Sequence, residues 1–146
     1  MNDKCAAGTG RILEVMARAF GLEVGDLGAE ALTADEAVTV SAMCTVFAES
    51  EVIGLLHRGE PRARIARGLH EAVARRTLSS LRRVRAASPL VFAGGGARNA
   101  ALVELITTGV DGEVLVAPDP QTVGALGAAL HAARQTHQTL QQKEDT

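Results

Sequence analysis

Residues 90–117 carry the pattern that most restricts the fold of this chain. An apolar run at 90–93 (LVFA) leads into three glycines and a helical segment, and a second apolar run follows at 114–117 (VLVA). This order is typical of parallel pairing, because the intervening helix returns the chain to the end of the sheet where the next strand must start. We therefore predict an α/β fold in which 90–93 and 114–117 are adjacent parallel strands with a right-handed crossover between them.

Three helices are predicted upstream of this unit from the spacing of apolar residues. Residues 12–20 repeat with helical period, and Gly21 ends this first helix as a left-handed cap. A second helix begins at Cys44 and ends at Gly59. A third, long helix follows Pro61, and its arginines lie off its apolar stripe as on a solvated face.

The remaining segments are assigned from composition. Residues 22–33 are interpreted as a connection bearing glycine and acidic residues, and 37–41 alternate enough to predict a short strand. A final helix is predicted from 121 to about 134. The tail 135–146 is polar without an apolar stripe, so we expect it to be disordered and to leave one domain spanning residues 1–134.

Charge and hydropathy exclude two classes of partner. The 15 Lys and Arg against 17 Asp and Glu give a formal net charge of −2, so no basic field exists to hold nucleic acid. No apolar run approaches the roughly 20 residues needed to cross a bilayer, and the first residues do not build a signal peptide. The chain is expected to be cytoplasmic, where a disulfide between its two cysteines is disfavoured.

The turn containing Gly94, Gly95 and Gly96 is the first candidate site. A strand that ends in glycines and opens a helix presents unpaired N–H groups beside the positive end of a helix dipole, which suits phosphate. The dinucleotide-binding fingerprint would need glycine where Asn99 stands, so the motif alone is weak. A tight turn without a ligand is an equal alternative from this segment by itself.

Cys5 and Cys44 form the second candidate site, since each lies at the predicted start of a helix, where thiolate is stabilised. One chain cannot supply four thiolates to a cluster, but two chains around a twofold axis could. Two buried cysteines acting as small apolar side chains are the more frequent alternative. A catalytic cysteine would need a nearby base, and no local motif ties either cysteine to one of the four histidines.

Four segments together resemble the family of ATPases that activate 2-hydroxyacyl-CoA dehydratases or serve as benzoyl-CoA reductase subunits. Residues 2–11 (NDKCAAGTGR) and 44–52 (CTVFAESEV) are similar to that family's two cysteine motifs. Residues 92–99 (FAGGGARN) resemble its adenosine-binding turn, and 120–130 (PQTVGALGAAL) resemble its closing helix. The four motifs stand in the family's order and cover nearly the whole chain.

The resemblance implies the C-terminal subdomain of an actin-like, sugar-kinase-like ATPase that dimerises around one 4Fe-4S cluster. It implies that Cys5 and Cys44 are cluster ligands, two per subunit, and that Gly94–Gly96 and Asn99 lie at ATP or ADP with Mg²⁺. The implied partners are an identical or related subunit and a 2-hydroxyacyl-CoA dehydratase or benzoyl-CoA reductase component, which receives electrons through the cluster.

The phosphate-binding motifs that family members carry before the first cysteine are not found in this sequence. We therefore expect a truncated or split half, with a separately encoded N-terminal half as a further partner, and leave open whether the chain hydrolyses ATP alone. The alternative is a redox-silent nucleotide-binding or structural fragment of the same fold. A small-molecule kinase is disfavoured, because a kinase has no use for paired cysteines at helix starts.

Overall fold

A computed structural model describes residues 9–40 and 45–144 of the chain. Within those residues the elements are six α-helices, two β-strands and one short 3₁₀ helix. Their order and bounds are α1 Thr9–Phe20, α2 Val24–Leu32, α3 Thr45–His57, α4 Arg62–Arg83, β1 Leu90–Phe92, the 3₁₀ helix Gly95–Arg98, α5 Ala100–Gly109, β2 Val114–Val116 and α6 Val123–Glu144.

The strands β1 and β2 pair in parallel, as the sequence predicts. Leu90 is opposite Val114 and Phe92 is opposite Val116, with α5 between the two strands along the chain. Two further backbone hydrogen bonds flank the paired residues. The N–H of Leu90 donates to the carbonyl of Glu113, and the N–H of Ala117 donates to the carbonyl of Phe92. The predicted α/β fold class is thus confirmed for the described residues.

Helices rather than the sheet build most of the core. Helices α1 to α5 all contribute buried apolar side chains to one cluster, against which Phe92 of β1 also packs. The side chains that are most fully enclosed are mainly aliphatic, as expected for a chain whose only aromatic residues are three phenylalanines. The largest of them are Met16, Leu27, Ile65, Leu69, Leu102, His70 and Val52.

Glycine ends two of the helices as the sequence predicts. Gly21 has φ +67° and follows α1, while Gly59 has φ +80° and follows α3. In each case the glycine N–H and the next N–H return to carbonyls of the last helical turn, which otherwise lack partners. A residue with a Cβ would be strained at this φ, so the glycine itself determines where each helix ends.

The interpretation of residues 22–33 as a connection is wrong, because they contain helix α2. Two glycines, Gly25 and Gly28, lower the intrinsic helix propensity of this segment. The helix forms because tertiary packing outweighs that preference. Leu27 and Ala31 are buried, and α2 packs against α1, α4 and α5.

The strand predicted at 37–41 is also absent from its described part, residues 37–40. The N–H of Val38 donates to the carbonyl of Arg64 on α4 at 3.1 Å, and Val40 is buried. This segment lies on α4 at Gly68, where a Cβ would collide with the carbonyl of Val38. Its alternating pattern therefore reflects packing on a helix rather than pairing with a strand.

The final helix is longer than predicted. Helix α6 begins at Val123 and continues to Glu144, through most of the segment 135–146 that the sequence assigns to a disordered tail. The domain boundary at residue 134 stays a prediction. Among the described residues, no helix combines the length and the apolar character that crossing a bilayer would require.

Candidate functional site

The glycine turn lies at the carboxyl end of the parallel strand pair. β1 ends at Phe92 and leads into Gly94, while β2 ends at Val116 and leads into the loop containing Pro120. The N–H of Gly94 donates to the carbonyl of Pro120 at 2.6 Å, which ties the two loops together. In open α/β sheets, ligands bind in the crevice at this edge. The position therefore suits the predicted phosphate or nucleotide site.

The turn's backbone requires glycine at its first position and leaves space at its second. Gly94 has φ +88°, a conformation that L side chains rarely adopt. At Gly95 no atom lies within 4 Å of the place where a Cβ would stand. The N–H groups of Gly95 and Gly96 begin the 3₁₀ helix and have no partner within it. These two amides are available to an anionic ligand.

Arg98 connects the turn to the loop between β2 and α6. Its guanidinium donates to Oε1 of Gln121 at 2.7 Å, and both side chains are exposed. Together with the hydrogen bond between Gly94 and Pro120, this contact holds the glycine turn beside the loop after β2. The sequence alone did not single out Gln121, which lies 23 residues from Arg98.

Asn99, predicted at the nucleotide, caps helix α5. Its Oδ1 accepts from the N–H of Leu102 at 3.0 Å, and its own N–H donates to Gly96 at 3.1 Å. The side chain is buried. Asparagine is among the preferred N-cap residues because this contact satisfies an otherwise unpaired helix donor. Asn99 thus shapes the turn and the start of α5 together, and any contact of Asn99 with nucleotide stays a prediction.

A buried histidine that the sequence did not place in the site contacts Asn99. Nδ2 of Asn99 donates to Nε2 of His70, on α4, at 3.0 Å. Burial lowers the pKa of His70 below its usual value, while the hydrogen bond to the Ala66 carbonyl opposes that shift. His70 is fully enclosed and is therefore neutral at physiological pH. No sequence signal links two residues that lie 29 positions apart.

Two cavities among the described residues lie away from the glycine turn. One of about 160 Å³ lies between α4 and α5, beside Glu71 and Leu105. The other, of about 430 Å³, is lined by residues such as Thr33, Pro61 and Arg64.

Cys5 and Cys44, the predicted cluster ligands, both lie outside the described residues. The helices that follow them are described: α1 begins at Thr9, and α3 begins at Thr45, directly after Cys44. These two helices contact one another and share the apolar core. Within residues 9–40 and 45–144, no group of three His, Cys, Asp or Glu side chains is arranged to hold a metal ion.

Comparisons with known proteins agree with the motifs. The 2-hydroxyisocaproyl-CoA dehydratase activator of Clostridioides difficile is 44% identical over 132 residues, covering 90% of this chain and 50% of that protein. A benzoyl-CoA reductase subunit of Thauera aromatica is 32% identical over 139 residues, covering 91% of this chain and 49% of that protein. The chain thus spans about half the length of the curated relatives it matches.

A solved structure matches the fold over the same extent. The activator of the 2-hydroxyisocaproyl-CoA dehydratase from Clostridium difficile, solved with bound ADPNP, superposes with a TM-score of 0.86 at 40% sequence identity. The match covers 97% of this chain and 53% of that one. Since the profile of the BadF/BadG/BcrA/BcrD ATPase family also matches residues 1–132, the chain belongs to that family.

Proposed function

We propose that this chain is the cluster-bearing and adenosine-binding half of an ATP-dependent activator that delivers electrons to a 2-hydroxyacyl-CoA dehydratase. A dehydratase is favoured over a benzoyl-CoA reductase because the dehydratase activator is the more similar relative, at 44% against 32% identity. A reducing cytoplasm is the compartment in which its thiolates would stay free for iron.

The nucleotide part of the proposal depends on the glycine turn. Gly95 and Gly96 offer backbone N–H groups at the carboxyl edge of the parallel strands, and Gly94 keeps the backbone close to a ligand. A relative of the same fold was solved with bound ADPNP. We assign the adenosine and the nearer phosphates to this turn, and Mg²⁺ and the γ-phosphate to residues outside the matched half.

The cluster part depends on the two helices that follow the cysteines. Cys5 and Cys44 would hold a 4Fe-4S cluster shared by two subunits, each of which supplies two thiolates. The cluster supplies one-electron transfer at low potential. Cys44 directly precedes α3, whose first N–H groups would favour the thiolate form of that cysteine. Contact between α1 and α3 places the helices that follow the two cysteines in one packed unit.

One contact between two elements would couple nucleotide binding to electron transfer. The 3₁₀ helix Gly95–Arg98, which forms the glycine turn, touches α1, the helix that follows Cys5. A change in ligand at the turn would act on α1 without an intermediate element. Packed helices shift as rigid bodies rather than bending, so such a shift would reach the cysteine segment before α1.

Exposed apolar residues support a second protein half as a partner. Parallel sheets are normally covered on both faces, yet three of the six strand residues here are exposed, namely Val91, Leu115 and Val116. Leu126 and Leu130 on α6 are exposed as well. We propose that a separately supplied half, carrying the remaining phosphate contacts, covers these exposed apolar residues. That half would also enclose a nucleotide lying at the glycine turn.

The test is activation of a dehydratase. The chain is reconstituted with iron and sulfide under anaerobic conditions, mixed with the separately expressed N-terminal half of a relative, and supplied with ATP and a low-potential reductant. We expect a 2-hydroxyacyl-CoA dehydratase component to become active only when ATP and both halves are present. A colourless protein that binds ADP but never activates the dehydratase would instead identify a redox-silent nucleotide-binding fragment.

A further inference from the structure

The described core contains two buried polar residues, and they are hydrogen-bonded to each other. His70 lies on α4 and is 0% exposed, while Asn99 at the start of α5 is 7% exposed. The distance between His70 Nε2 and Asn99 Nδ2 is 3.0 Å. Burying such groups is unfavourable unless their hydrogen bonds are satisfied, so the pair must be organised as a unit.

The direction of each hydrogen bond in this unit follows from its fixed ends. The carbonyl of Ala66 can only accept, so His70 Nδ1, at 2.7 Å from it, must donate and carry the proton. The N–H of Leu102 can only donate, so the atom of Asn99 that faces it must be the oxygen. Asn99 Nδ2 then donates to the unprotonated Nε2 of His70. The neutral tautomer of His70 and the orientation of the Asn99 amide are thereby set together.

A third element, helix α2, also lies against the Asn99 amide. Gly28 on α2 is buried, and a Cβ built on it would lie 2.7 Å from Oδ1 and 2.9 Å from Nδ2 of Asn99. The amide plane is therefore confined by Gly28 on α2 and held by His70 on α4.

We infer that His70 is a positioning residue for the nucleotide turn: by accepting from Asn99, it holds the cap of α5 and the end of the turn in the ligand-binding geometry. The inference rests on the proposed function, because it assumes that the turn binds a nucleoside phosphate. Asn99 joins the glycine turn to α5. Its backbone N–H donates to the Gly96 carbonyl in the 3₁₀ helix, and its side chain accepts from the N–H of Leu102 as the N-cap of α5. His70 acts only through Asn99, being too deeply enclosed to touch a ligand.

A double-mutant cycle read out by ADP binding tests this role in the full-length chain. His70→Leu leaves the Asn99 amide donor unsatisfied, and we expect ADP to bind about ten-fold more weakly or worse. Asn99→Ser retains an N-cap oxygen but cannot reach His70. Adding His70→Leu to Asn99→Ser should therefore weaken binding no further, whereas a general packing role would give additive losses.

The matched control is His57→Leu. His57 on α3 makes the same kind of contact with the carbonyl four residues before it, Ile53, at 2.9 Å, but it is exposed. ADP binding should be unchanged in this variant. If His70→Leu does not fold, His70→Gln replaces it in the cycle, because glutamine keeps an acceptor for Asn99 in a different position and should show a smaller loss.

The outcomes separate this inference from the proposed function. If the parent binds ADP and Gly95→Val does not, yet His70→Leu binds as well as the parent or adds its loss to that of Asn99→Ser, His70 has no positioning role and the proposed function stands. If the parent chain does not bind ADP at all, the nucleotide proposal fails, and the role of His70 fails with it.

Discussion

Gly28 on α2 and Asn99 at the start of α5 are in direct contact, and the Asn99 amide occupies the space that a side chain at position 28 would need. The ideal Cβ of residue 28 would approach Asn99 Oδ1 to 2.7 Å. Gly28 lowers the helix propensity of its segment, yet its missing side chain is what allows α2 to pack on Asn99, the cap of α5.

Replacing Gly28 with alanine should destabilise the protein by about 1–3 kcal/mol, because the new methyl group displaces a buried cap and its hydrogen bonds. Gly25→Ala on the same helix is the matched control. No atom lies within 4 Å of a Cβ at position 25, so alanine there should be neutral or stabilise by about 0.5–1 kcal/mol. Urea unfolding of both variants measures the difference. Equal effects at the two positions would contradict the packing account.

Stability should fall in mild acid because of His70. The unfolded chain binds this proton near the usual pKa of 6.5, whereas the buried histidine binds it only at lower pH. The stabilisation is thus complete above about pH 6.5, is lost as the pH falls below that value, and levels off once the lowered folded pKa is passed. Urea unfolding at a series of pH values should show a shallower acid loss for His70→Gln. An unchanged slope would mean that another group titrates.

The sequence predicts the strand, glycine turn, helix and strand because each of these signals is local. Gly94 adopts the positive φ that its position implies, and β1 and β2 pair in the predicted direction. Helix α2 is not predicted because Gly28 is needed for a tertiary contact with Asn99, which is distant in the sequence.

The buried histidine is missed for the same reason. Residue types in the sequence identify His70 as one of several titratable side chains, but only the fold places it against Asn99. In residues 37–40, alternation is satisfied by packing on α4 at Gly68 instead of by a neighbouring strand. Periodicity reports which residues are buried, and it does not report the element that buries them.

Gly95→Val should abolish ADP binding while leaving the fold intact. The position has open space around it, so the added side chain meets solvent in the free protein and the ligand in the complex. Gly25→Val, also in open space but on α2, is the control for a general effect of the substitution. Calorimetry with ADP measures binding by both variants, and far-UV circular dichroism shows whether either variant has lost its fold. Binding equal to that of the parent would make the turn purely structural.

Truncating Gln121 should loosen the link between the glycine turn and the loop after β2. Gln121→Ala removes the acceptor of the 2.7 Å hydrogen bond from Arg98. Because this contact is exposed, we expect a loss of stability of only about 0.5–1 kcal/mol. The larger effect should be a weaker affinity for ADP, measured by calorimetry. Thr122→Ala, whose hydroxyl donates locally to Asp119, is a neighbouring control.

The subunit-bridging cluster is the central claim, and iron and sulfide content per dimer after anaerobic reconstitution tests it most directly. Analytical ultracentrifugation with and without a chelator should accompany the analysis, and the separately supplied half serves as a folding control. Because each subunit would supply two of the four thiolates, we expect about four irons per dimer in the parent. Either Cys5→Ala or Cys44→Ala should lose nearly all the iron, and chelation should dissociate the parent dimer. A full cluster in either variant, or a cluster held by a monomer, would contradict the account.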